Sequence, residues 1–261
     1  MPVLNSGQKD LDLLIDAARA AGDIARGYFN ASPEVWEKSG GQGPVTEADL
    51  RVNEQLSTDL QSARPDYGWL SEETEDSPAR LSTNNQFIID PIDGTRAFIE
   101  GSKDWAHSIA IAKNGIVTAA VIYLPMRDAM YTATLGKGAA LNGTPINALP
   151  DKAIATATVL SSKLNIDPKF WAGPVPPFKR AFRSSLAYRL ALVAQGQFDG
   201  MLTLRPTWEW DVAAGALIVT EAGGAVSDQT GLTPVFNNPY PQINGMIAAG
   251  GIHPKLVAAL T

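Results

Sequence analysis

FIIDPIDGTRAF, from Phe87 to Phe98, runs an apolar triplet into two acids, a glycine and a threonine. Phe87, Ile88 and Ile89 have the β-propensity of a short buried strand. Pro91 cannot donate to a ladder and biases Asp90 towards an extended backbone, so the strand is expected to stop at Asp90. Gly94 and Thr95 then open a helix through Arg96, Ala97 and Phe98. Such a junction serves two charges at once. The carboxylates of Asp90 and Asp93 are hard oxygen ligands for a cation such as Mg²⁺. The free N–H groups of a helix start receive a phosphate. The bland alternative makes the two acids a turn residue and an N-cap.

Composition narrows the choice. Hydrophobic residues form 45% and charged residues 18% of 261 residues, ordinary globular usage with a sizeable core. The net charge of −6 argues against a nucleic-acid or membrane-surface partner and suits a protein that gathers acids around cations. Without cysteine there is no disulfide, thiolate zinc site or cysteine nucleophile. The two histidines, His107 and His253, are too few for a histidine metal centre and read as structural. The N-terminus lacks a signal-peptide pattern and no window approaches a membrane span, so a cytoplasmic protein is expected.

Working outward, Leu11 to Phe29 has the spacing of an amphipathic helix, and a second helix is predicted from Glu47 to Ala63. Thr46 and Asp49 fit a capping box at its start. Lys38 stands beside a glycine-rich loop through Gly43, a candidate lid; its ammonium either reaches an anionic substrate or is solvated. Tyr67 to Leu70 reads as a strand delivering Glu72 to its end. A hairpin is expected at Asn114-Gly115, within a β-rich middle block. Ala155 to Ser161 reads as a further strand. A helix from Ser184 to Gln195 turns Leu186 and Leu190 inward and Arg189 to another face. Trp210 to Ala222 is a strongly apolar helix closed by Gly223 and Gly224, with Asp211 at its start as a cap or a ligand.

Glu72, Asp90, Asp93 and Asp211 thus all stand at element ends. With Thr46 and Asp49 they resemble the inositol monophosphatase family of Mg²⁺-dependent, lithium-sensitive phosphomonoesterases. The resemblance spans most of the chain and is carried by DPIDGT (Asp90 to Thr95) and WDVAAGALIVTEAGG (Trp210 to Gly224), with support from VTEAD, SEE and LVAQG. It implies an α/β chain folded as a layered α/β/α/β/α sandwich, of the inositol monophosphatase and fructose-1,6-bisphosphatase type. A single domain over 1–261 is expected, with most ligands in 1–150 and Asp211 from 151–261; a homodimer is implied. Glu72, Asp90, Asp93, Asp211 and the Ile92 carbonyl would bind two or three Mg²⁺ ions, with Mn²⁺ as a substitute. Gly94 and Thr95 would hold the phosphate, and Thr95, Asp49 and Glu72 would position and deprotonate the attacking water.

The leaving group is read elsewhere. Pro206 to Asp211, Arg96 after DGT, and Arg189 resemble the 3′(2′),5′-bisphosphate nucleotidase branch, where Arg189 would meet a second phosphate. Ala97 departs from that branch, and Gly215 to Gly224 reads more like an inositol monophosphatase. The expected substrate is a small phosphate monoester, with the bisphosphate nucleotide first, then inositol 1-phosphate, then histidinol phosphate or another sugar phosphate. A non-catalytic, metal-dependent phosphate-binding regulator on the same fold is the reading from a different class.

Overall fold

The computed structural model describes residues 6–38 and 43–260. Helices α1 (Ser6–Tyr28) and α2 (Glu47–Ala63) flank a ribbon of β1 (Val35–Glu37) and β2 (Pro44–Thr46). A seven-stranded sheet follows from β3 (Gly68–Ser71), β4 (Asn85–Asp93), β5 (Ala106–Lys113), β6 (Ile116–Leu124), β7 (Ala129–Thr134), β8 (Ala139–Leu141) and β9 (Thr144–Pro145), in that order. The short helix α3 (Thr95–Ile99) hangs from the end of β4. Strands β10 (Thr158–Ser161) and β11 (Lys179–Ala181), helix α4 (Leu186–Ala194), β12 (Gly200–Thr203), β13 (Thr207–Trp208) and helix α5 (Glu209–Glu221) come next. The chain finishes with β14 (Ala225–Ser227), β15 (Gln242–Ile243), β16 (Met246–Ala249) and α6 (His253–Val257). A second sheet has the order β11-β10-β12-β16-β14.

The expected five layers are present: α1 and α2, the large sheet, α4 and α5, the small sheet, and α6. Period-2 patterning explains the stacking. On β4 and β5, Phe87, Ile89, Ile109 and Ile111 pack with α1 and α2, whereas Ile88, Ala110 and Ala112 pack with α4 and α5. The face of α1 that meets the sheet is small, with Ala18, Ala21 and Ala25 fully buried, so helix and sheet approach closely.

Because α4 and α5 lie between two sheets, neither has a solvent face to spare. Every residue of α4 is buried, Arg189 included, so the face given to Arg189, apart from that of Leu186 and Leu190, is covered as well. The helices also touch one another. A Cβ on Gly215 would lie 2.3 Å from Leu190 Cδ1 and 2.5 Å from Leu190 Cβ, so only glycine lets α5 pass at this distance.

Several element bounds differ from the sequence reading. The first helix begins at Ser6, a turn before Leu11, and Asp10 in that added turn is buried and accepts from Arg64. The segment expected as one strand from Ala155 is a 3-10 turn, Ile154–Thr156, followed by β10. The hairpin at Asn114-Gly115 forms where the sequence places it. No helix among the described residues is long and apolar enough to cross a membrane.

Candidate active site

The larger correction lies in β4, which continues through Pro91 instead of stopping at Asp90. Asp90 pairs with Ser108 and Asp93 with Ala106, so three steps on β4 oppose two on β5. One extra residue makes a β-bulge. In a regular strand residues three apart face opposite sides; here Asp90 and Asp93 oppose Ser108 and Ala106, two residues apart on one face. The bulge therefore turns both acids towards α4 and α5.

Gly94 follows with φ of 99°, and its missing Cβ would sit 3.2 Å from the Asp104 carbonyl oxygen, so the chain turns here only as glycine. Thr95 then starts α3. Gly94, not Asp93, is the N-cap of that helix, and the acid is free for other work.

Asp93 uses one oxygen across the molecule. Its Oδ2 accepts from Ser185 Oγ and, at 2.6 Å, from Ala187 N, in the first turn of α4. Asp49 divides its oxygens in the same way. Its Oδ2 closes the capping box with Thr46, 2.8 Å from the backbone N and 2.6 Å from Oγ1, while Oδ1 accepts from Thr95 Oγ1 at 3.2 Å. Capping and site roles coexist in one carboxylate. Asp211 lies in the first turn of α5 but provides no side-chain cap. Ser108 Oγ donates to the Trp210 carbonyl at 2.8 Å and ties that turn to β5, opposite Asp90.

One oxygen from each of Glu72, Asp90 and Asp211 comes within 4.8 Å of the others. Burial pushes Asp90 far above its ordinary range, helped by the charges of Glu72, Asp93 and Asp211. Burial, then Asp93 and Glu72, does the same to Asp211. Asp93 is raised to about 6 by burial, against the hydrogen bonds from Ser185 and α4. Asp49 also reaches about 6, raised by burial and held back by Thr46.

Carboxylates so crowded ionise together only beside a cation. Among the described residues the buried Asp90 Oδ1 atom has no hydrogen-bond partner, which is the mark of a donor set made for something other than protein. An all-oxygen set of this kind fits a hard divalent cation.

Lys38 answers the acids from the other side. Its Nζ is 2.6 Å from both Glu72 Oε1 and Glu73 Oε1, so it neither reaches into the substrate cleft nor lies free in solvent. Burial would lower its pKa, but the two carboxylates outweigh that and hold it above the ordinary lysine value. Glu73 itself is raised to about 7 by burial and the charge of Glu72. Residues 39–42 of the expected lid lie outside the described residues.

A cleft of about 620 Å³ opens over this cluster, floored by Asp93, Gly94, Thr95 and Asp211 and walled by Arg96 and Arg205. Arg189 reaches the same cleft, but much of its guanidinium is engaged. Nε donates to the Arg183 carbonyl at 2.6 Å, an Nη to that of Ser184 at 3.3 Å, and the group lies 4.5 Å from the centre of the Phe182 ring. Burial lowers its pKa to about 10. The sequence reading passed over Arg205; only its place four residues before the helix carrying the WD motif could have drawn attention to it.

A profile of the inositol monophosphatase family matches residues 8–261. The chain belongs to the inositol monophosphatase family. Relatives of the whole family length support the assignment. The chain is 33% identical over 232 residues to an inositol-1-monophosphatase of Rhizobium meliloti (strain 1021), covering 85% of this chain and 86% of that protein. It is 34% identical over 264 residues to the Nus factor SuhB of Escherichia coli (strain K12), covering 96% and 93%. Among solved structures, the Thermotoga maritima IMPase superposes with a TM-score of 0.83 at 28% identity, covering 96% of each chain. Family membership makes this protein a phosphatase, and the acidic cluster is where that family's chemistry would be housed.

Proposed function

We propose that the protein is a Mg²⁺-dependent phosphatase that hydrolyses a small phosphate monoester by direct attack of water. Glu72, Asp90, Asp93, Asp211 and the Ile92 carbonyl would hold two or three ions, with Mn²⁺ as a substitute. Bound there, the ions supply positive charge that neutralises the phosphoryl oxygens and the leaving oxygen. The observation that carries the reading is the Thr95–Asp49 pair, 3.2 Å apart, with Thr95 lining the same cleft as Glu72 and Asp211 of the acid triad.

Each residue then has a task. Gly94 and Thr95 offer backbone N–H groups at the start of α3 to the phosphate. Thr95 Oγ1 accepts the proton of the attacking water and hands its own to Asp49 Oδ1, while Glu72 orients the water. Asp49, raised to about 6, is poised for a base working near neutrality. The new P–O bond forms from water and the ester P–O bond breaks. The leaving oxygen takes up a proton, so the products are an alcohol and inorganic phosphate.

For the leaving group, inositol 1-phosphate or a similar polyol phosphate comes first. It is supported by the inositol-1-monophosphatase among the relatives and by the engagement of Arg189 with backbone carbonyls. The bisphosphate nucleotide is the second reading, supported by Arg96 and Arg205, both exposed in the cleft wall. Phosphate release from inositol 1-phosphate and adenosine 3′,5′-bisphosphate, side by side in Mg²⁺ and in chelator, tests both. A preference of about tenfold in kcat/KM, or about 1.4 kcal/mol, decides between them. An inert protein that still binds phosphate would leave the regulator reading standing.

A further inference from the structure

The bulge that unites Asp90 and Asp93 needs something to hold it. A bulge leaves polar groups outside the ladder, and Pro91 has no N–H to offer a neighbour. His107 occupies the position on β5 between the partners of Asp90 and Asp93, opposite the two residues Pro91 and Ile92. Its side chain points to the α1 and α2 side of the sheet, away from the acids, and its Nδ1 hydrogen-bonds the Pro91 carbonyl.

We propose that His107 is a positioning residue: its imidazole pins the Pro91 carbonyl and so fixes the bulge that aims Asp90 and Asp93 at one cation site. The proposal rests on the reading of those acids as cation ligands.

The ring is placed for this task. It is fully buried, 5.6 Å from the Trp105 ring in an edge-on arrangement and 6.3 Å from Tyr123, so it has little freedom to turn. Burial lowers its pKa to about 4, so it is neutral near pH 7 and carries one N–H. The carbonyl of Pro91 can only accept, which places that proton on Nδ1. Among the described residues Nε2 has no partner, and the ring's polar contact is with the bulge. An aliphatic side chain would fill the same space and take away the hydrogen bond that Nδ1 makes to the Pro91 carbonyl. A histidine here therefore serves the backbone of the DPID segment as well as the core.

The test compares His107→Asn, His107→Gln and His107→Leu in the full chain. Asparagine places an amide N–H near the position of Nδ1, whereas glutamine carries it one bond further, towards Nε2. Mg²⁺ affinity is titrated by calorimetry without substrate, alongside kcat and the melting temperature in chelator. The glutamine and leucine variants are expected to bind Mg²⁺ about tenfold or more weakly, as when the partner of a metal ligand is removed. The asparagine variant is expected to stay within about threefold of wild type. Equal affinity in all variants, or affinity that follows melting temperature regardless of where the amide sits, overturns the proposal. If the leucine variant does not fold, the asparagine–glutamine comparison still decides. A wild type that binds no Mg²⁺ defeats the cation reading itself and removes the basis of the proposal with it.

Discussion

Replacing Gly215 with alanine changes one hydrogen into a methyl group about midway along α5, remote from the bond that is cleaved. The new Cβ would lie 2.3, 2.5 and 2.9 Å from three side-chain carbons of Leu190. Non-bonded carbons settle at about 3.5–4.0 Å, so α4 and α5 must part by about 1 Å. They cannot part freely, because the large sheet lies on one side of the pair and the small sheet on the other. Overpacking of this kind costs about 1–3 kcal/mol, and the better helix propensity of alanine offsets about 1 kcal/mol. The net loss is about 0–2 kcal/mol, a fall in Tm of at most about 8 °C.

Activity is expected to suffer more than stability. Asp211 rides on α5, while α4 holds Asp93 through Ser185 and Ala187. Parting the helices pulls those two carboxylates away from one another, and a misplacement of about 1 Å can cost about 100-fold in rate. Gly215→Ala should therefore lose about two orders of magnitude in kcat with Mg²⁺ while keeping a cooperative melt and native circular dichroism. A variant with wild-type kcat, or one whose rate loss merely mirrors its unfolded fraction at the assay temperature, would refute the coupling of helix spacing to ligand geometry.

Thr95→Ala removes the hydroxyl between the attacking water and Asp49; kcat should fall by about 10²–10⁴, while calorimetric Mg²⁺ affinity stays close to wild type. Asp90→Asn should abolish phosphate release and yet raise the Tm of the metal-stripped protein near pH 7, because the buried Asp90 carboxyl must take up a proton on folding among its acidic neighbours and an amide need not; a lower Tm would count against that picture. His107 titrates near 4 when folded and near 6.5 when unfolded, so below 6.5 the unfolded chain takes up a proton that the folded one refuses. Its share of stability is complete above pH 6.5 and shrinks by about 3 kcal/mol as the pH falls to about 4. Urea melts of wild type and His107→Asn at pH 7 and pH 4.5 would show this as a steeper acid loss in the wild type; parallel losses would contradict it.

Local pattern along the chain was enough to read the kind of chemistry and much of the frame. The apolar run Phe87, Ile88 and Ile89, the asparagine–glycine hairpin and the capping box at Thr46 are local signals. Each depends on neighbours within a few residues, and each is found where those neighbours place it. The acids at element ends, read with the two long motifs, pointed to the family that the comparison with known proteins established.

The remaining features depend on partners distant in the chain, which come together only in the fold. The strand could be seen to run through Pro91 only with β5 beside it, since a bulge is a property of two strands and not of one. His107 read as an idle core residue because its carbonyl partner lies sixteen positions away. Arg189 read as a free cation because nothing in its helix announces that sheets cover it on both sides. Lys38 found Glu72 and Glu73 only when the fold brought separate segments together. Spacing along a chain sets which residues can share a face; burial and long-range pairing set which of them share a charge.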